Sequence, residues 1–98
     1  MGSSGVDLVY DGDLSISQVK KEIKKQVKED RAYNGHRDGY SGDWQTIRNI
    51  SFQPQRSFKS VDKAIDWCLD NCDKHDAIAV KVMDNRQEKW VIAGWAAE

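Results

Sequence analysis

Trp90-Val91-Ile92-Ala93-Gly94-Trp95-Ala96-Ala97 runs eight residues without one charged side chain. A strand with one face in water alternates apolar and polar residues, so this run reads as a strand that is apolar on both faces. Upstream, Ile78, Val80 and Val82 alternate with Ala77, Ala79, Lys81 and Met83, the pattern of another strand. Between the two, Asp84-Asn85-Arg86-Gln87-Glu88 turns the chain back. The last strand is expected from Lys89 to Ala97, paired with its predecessor as an antiparallel hairpin.

Working outward, Val61, Ala64, Ile65, Cys68, Leu69 and Cys72 recur at helical spacing behind Ser60, a good N-cap, with Asp62 in the first turn. This helix is expected to end near Asp73–His75. Trp67 lies off its main apolar stripe, between Ile65 and Leu69, so it is expected either to flank the core or to remain partly exposed. A longer helix begins at Ser15, where Gln18 three residues on completes a capping box and Leu14 and Val19 form a hydrophobic staple. Its apolar stripe is Ile16, Val19, Ile23 and Val27, and Asn34-Gly35 is its stop. Lys20, Lys21, Lys24, Lys25 and Lys28 mix with Glu22, Glu29 and Asp30 around the rest; such a face usually serves solvation.

Val6-Asp7-Leu8-Val9-Tyr10, closed by Asp11-Gly12-Asp13, reads as a first strand. Trp44-Gln45-Thr46-Ile47 and Ile50-Ser51-Phe52-Gln53 also favour strand, either one bent strand or a hairpin around Arg48-Asn49. Pro54 should end the second, leaving Gln53 to Lys59 as loop. Residues 1–5 read as a flexible leader, and residues 6–98 as one α+β domain. The expected architecture is two-layer, an antiparallel sheet of four to five strands with both helices on one face. On that count a second apolar face is left over, holding Trp90 or Trp95, for a loop, a second copy of the chain or a partner to cover.

The 98 residues suit a single core, and 39% hydrophobic with 32% charged residues is too apolar for a disordered chain. Lys plus Arg number 15 against 16 Asp plus Glu; a net charge of -1 counts against nucleic acid as the main partner, since phosphate neutralisation supplies much of that affinity. No apolar run approaches the ~20 residues needed to span a bilayer, and no secretory signal is visible. With two cysteines and no export signal, the expected setting is cytoplasmic, with reduced thiols.

The segment Tyr33-Asn34-Gly35-His36-Arg37-Asp38-Gly39-Tyr40-Ser41-Gly42-Asp43-Trp44 is glycine-rich, aromatic and charged where a short turn would have sufficed. Backbone N–H groups here, with His36 and Arg37 for charge and Tyr40 or Trp44 for stacking, make an anion or nucleotide site conceivable, although no phosphate-loop or dinucleotide pattern is present. The plain alternative is a structural turn whose tyrosines pack on the sheet. Tyr33, Asn34, His36, Arg37, Tyr40, Ser41, Trp44 and Trp95 are the candidate binding residues. His36, Ser41, Asp38 and Asp43 would be the cast of a hydrolase, but neighbours in sequence do not make a triad, and a non-enzymatic chain is expected. Cys68, Cys72 and His75 share a helix face yet lack a fourth ligand and the usual two-residue cysteine spacing, so no metal and no cofactor is expected. Four tryptophans in so small a domain favour at least one exposed interaction anchor.

Asn34-Gly35 followed by Tyr40-Ser41-Gly42-Asp43, together with Trp90-Val91-Ile92-Ala93-Gly94-Trp95, resembles segments of small α+β proteins of phages and mobile elements. The resemblance implies a phage-type accessory protein of the kind that inhibits host defences by occluding a protein surface or sequestering a nucleotide signal. It carries over no catalytic residue set, and a net charge of -1 departs from the strong acidity common among such inhibitors. The expectation is therefore a binding or inhibitor protein that contacts a protein partner or a second copy, as a homodimer; the alternatives are a nucleotide-binding protein and a small hydrolase.

Overall fold

The computed structural model describes residues 3–34 and 44–97. Strand β1 (Ser3–Asp11) is followed by helix α1 (Ile16–Asn34), a 3-10 turn (Trp44–Thr46), strand β2 (Asn49–Phe58), helix α2 (Val61–Asn71) and strands β3 (Asp76–Asp84) and β4 (Gln87–Ala97). The strands form one sheet in the order β1-β4-β3-β2. β4 pairs antiparallel with both β1 and β3, whereas β2 pairs parallel with β3. Two helices packed on a four-stranded sheet make the α+β fold that the sequence leads one to expect, but the sheet is mixed rather than antiparallel.

The expected placement of both helices on one face is corrected by the alternation of side chains along the two central strands. Ala77 and Ala79 of β3, with Trp90 and Ile92 of β4, pack with Val19 and Ile23 of α1. Their immediate neighbours Ile78, Val80 and Val82, with Val91 and Ala93, pack with Ala64 and Cys68 of α2. Successive strand residues point to opposite faces, so α1 and α2 lie on opposite sides and the molecule has three layers. The topology gives the reason. α1 carries the chain from one edge of the sheet to the other, and α2 brings it back by one strand. Connections between parallel strands are almost always right-handed, and two such connections running in opposite directions must lie on opposite faces.

Local signals set the helix ends. The Ser15 amide donates to Gln18 Oε1 at 2.8 Å and the Gln18 amide to Ser15 Oγ at 3.2 Å, the reciprocal capping box. Ser60 Oγ accepts from the Lys63 amide at 3.2 Å, and the Cys72 amide closes α2 on the Cys68 carbonyl at 2.9 Å. The β3–β4 hairpin turns on Asn85 and Arg86, with φ of 48° and 64°. Both are left-handed, as a two-residue turn matched to strand twist requires.

Three further expectations change. Ser3–Gly5, expected to be part of a leader, pair with Ala97–Trp95 as the start of β1. Trp44–Thr46 is a 3-10 turn, not strand. Pro54 does not end β2, which runs on to Phe58 with a slip in register between Gln53 and Ser57; as the edge strand it tolerates a residue with no N–H to give. Gly94 is fixed by space, since a Cβ there would collide with the Asp76 carbonyl oxygen and stand 2.6 Å from Ala77 Cβ.

Candidate functional site

The segment that drew attention in the sequence lies between the end of α1 and the 3-10 turn. Residues 35–43, and with them His36, Arg37, Tyr40 and Ser41, lie outside the described residues. Tyr33 and Asn34 form the last turn of α1. Trp44 is only 5% exposed and belongs to the core beneath α1. Its amide donates to Asp30 Oδ2 at 3.0 Å, while Asp30 Oδ1 accepts from Gln26 Nε2 at 2.8 Å. The segment thus returns to the helix it left. Asp30 reaches it because α1 places Gln26 and Asp30 one turn apart on one side.

The other tryptophans are placed as follows. Trp90, 2% exposed, donates from Nε1 to the Leu14 carbonyl at 2.9 Å and meets Phe52 edge-to-face at 5.9 Å. Above its ring, 4.4 Å from the centroid, stands Lys81 Nζ, which also reaches Glu88 at 2.6 Å and the Gly12 carbonyl at 2.7 Å. Trp95 is half-buried beside Gly5 and donates from Nε1 to the Leu69 carbonyl at 2.7 Å. Trp67, also half-buried, lies between Phe58 and the Arg56 guanidinium, 4.4 Å above it. Trp44 and Trp90 therefore build the α1 side, and Trp67 and Trp95 the rim of the α2 side. The leftover apolar face expected for Trp90 or Trp95 is the floor under the second helix.

Burial pushes the Cys68 thiol up to about 12, with the neighbouring Cys72 adding to the effect, and raises Cys72 in the same direction. Both thiols are therefore protonated at neutral pH, the weak form for nucleophilic or metal chemistry. His75 sits in the left-handed region at φ 67°, and its carbonyl accepts from the Arg48 amide at 2.8 Å. Among the described residues no group of three His, Cys, Asp or Glu side chains is placed to hold a metal ion.

The described residues include two open depressions. One, of about 590 Å³, lies beyond the end of β1 beside the β3–β4 turn and mixes Asp11, Asp13 and Glu88 with Arg86 and Lys89. The other, about 200 Å³, lies between β2 and the end of α2 and is lined by Asn49, Ser51 and Asp76 among others. Neither was marked in the sequence, because each collects residues from turns that meet only in the fold. No protein-family model matches this chain, and comparison with curated proteins and with solved structures likewise finds no match. No helix among the described residues is long and apolar enough to cross a membrane.

Proposed function

We propose that this chain is a non-enzymatic binding protein, a cytoplasmic phage-type accessory or inhibitor, which engages a protein partner through the segment 33–44. The observation that supports this reading is the way the segment is tied down. A buried Trp44 and the Asp30 carboxylate fix its far end, while Tyr33 and Asn34 close the helix at its near end. Glycines, tyrosines, His36 and Arg37 are carried between two anchored points, the usual arrangement of a binding loop on a rigid scaffold. The support comes from this anchoring and from the sequence resemblance, and no longer from an unsheltered sheet face. Trp44 acts in it as the anchor and Tyr33, His36, Arg37 and Tyr40 as the contact set.

The test exchanges residues 35–43 for a Gly/Ser stretch of equal length and compares the two chains as bait in affinity capture, with native mass spectrometry of the products. The native chain is expected to retain a partner that the exchanged chain loses, with the melting temperature of the domain kept within a few degrees. A bare monomer from both, or equal retention by both, contradicts the proposal. A melting-temperature rise with nucleotides that Arg37→Ala abolishes transfers the segment to nucleotide binding instead.

A further inference from the structure

The two edges of the sheet are finished differently. At the β2 edge Pro54 removes a donor, and the register slips between Gln53 and Ser57, so three residues there oppose none on β3. Arg56 within that slip donates from Nε to Gln53 Oε1 at 2.9 Å and stacks on Trp67. Proline, a bulge and a cation are three of the devices by which sheets refuse another strand. β1 has none of them. Its nine residues run in unbroken register along β4, from Ser3 opposite Ala97 to Asp11 opposite Lys89, without proline or lysine. Every second residue of an edge strand directs its N–H and C=O away from the sheet, and among the described residues no strand pairs with the outer side of β1.

The side chains on that edge are unevenly charged. α2 lies over β3 and β4, and at β1 its Leu69 comes within 3.5 Å of the position of a Cβ on Gly5. Asp7, Val9 and Asp11 therefore stand exposed on this face, with Val9 at 42% although its partner Val91 is fully buried. Lys89 lies across from Asp11, but Asp7 stands opposite Ala93, and among the described residues neither aspartate makes an ion pair within 4 Å. On the other face Val6, Leu8 and Tyr10 are half-buried at the rim of the α1 core. Glu22 and Glu29 of α1 flank Tyr10, whose phenol is raised first by burial and then by these two carboxylates.

We propose that the open edge of β1 is a strand-addition site for an extended basic segment of a partner protein, with Lys or Arg at alternate positions beside Asp7 and Asp11 and apolar residues beside Val6, Leu8 and Tyr10. Backbone pairing supplies the attachment and the alternation supplies the choice of partner. A second copy of the chain is the poorer occupant, because β1 carries only negative charge and its fully overlapped antiparallel register sets Asp7 against Asp7. The site is built from β1 residues and does not depend on the role of residues 35–43.

The probe is a nine-residue peptide alternating Lys and Val, with two controls: the same peptide with Glu for Lys, and one N-methylated at every second residue on the pairing edge. Amide hydrogen exchange of the full chain is the readout. The Lys/Val peptide is expected to slow exchange of alternate β1 amides at least tenfold while leaving β2 unchanged, and the N-methylated peptide should slow neither strand. Asp7→Lys should weaken the Lys/Val peptide severalfold and favour the Glu/Val peptide; since Asp7 is exposed, the fold should survive, as circular dichroism can check. Unprotected β1 amides overturn the proposal, as does equal binding of the N-methylated peptide, which would mean charge attraction without pairing. A chain that is dimeric without peptide, with β1 already protected, also overturns it in favour of self-pairing.

Discussion

Replacing Asp30 by alanine tests the tie that holds segment 33–44 to the fold. Both carboxylate oxygens are in use, one by the Trp44 amide at 3.0 Å and one by Gln26 at 2.8 Å. Leaving the amide of a buried tryptophan without its acceptor costs about 1–3 kcal/mol, and the more accessible Gln26 bond contributes about 0.5–1 kcal/mol. An opposing effect exists: Asp30 sits in the C-terminal part of α1, where a negative charge opposes the helix dipole, so its removal returns about 0.3–1 kcal/mol. The hydrogen bonds win, and Asp30→Ala should lose about 1–2 kcal/mol, a fall in Tm of roughly 5–15 °C for a domain of this size. Asp30→Asn keeps one acceptor and should lose about half as much. Urea unfolding gives the free energies, and hydrogen exchange at the Trp44 amide locates the loss. An Asp30→Ala chain within about 0.5 kcal/mol of the parent, with unchanged Trp44 exchange, would show that the tie contributes nothing.

Gly94→Ala should be the most damaging small substitution, about 3 kcal/mol or more in urea unfolding, because the obstacles are the Asp76 carbonyl and the Ala77 backbone rather than a side chain that can turn away. Trp90→Phe removes the Nε1 bond to Leu14 and part of a fully packed ring, and should cost about 1–3 kcal/mol; a neutral result would refute the assigned bond. Cys68 titrates near 9.0 when unfolded and at about 12 when folded, so the native state holds its proton longer. The contribution is complete below pH 9 and is lost as pH rises toward 12; unfolding midpoints should fall over that window, and Cys68→Ala should flatten the fall. For the same reason iodoacetamide at pH 8 should modify native Cys68 at least a hundredfold more slowly than in urea.

Much of the fold was legible where the deciding interactions are local. The Ser15–Gln18 box, the Ser60 cap and the Asn85-Arg86 turn depend on residues at most three apart, and each stands where its spacing places it. The run Trp90–Ala97 was also legible as apolar on two faces. Sharing those faces between two helices depends on strand order, which no window of sequence contains. The parallel pairing of β2 is lost for the same reason, and Pro54 reads as a stop unless the strand is known to be an edge. Trp44 misleads differently: surrounded by glycine and tyrosine it looks like a contact residue, while its ring is buried in the α1 core and its amide is held by Asp30, fourteen positions away. The β1 edge gave no signal, because openness belongs to the sheet and not to Val6–Asp11.

One helix lies over each face of the sheet, and methyl contacts measured by nuclear Overhauser effects test this placement directly. Of the two helices, Ile92 should show contacts to α1 alone, at Val19 and Ile23, and its neighbour Val91 to α2 alone, at Ala64 and the Cys68 β-protons. Contacts from Ile92 to both helices, with Val91 facing solvent, would contradict the three-layer arrangement and return the second apolar face to an unknown partner.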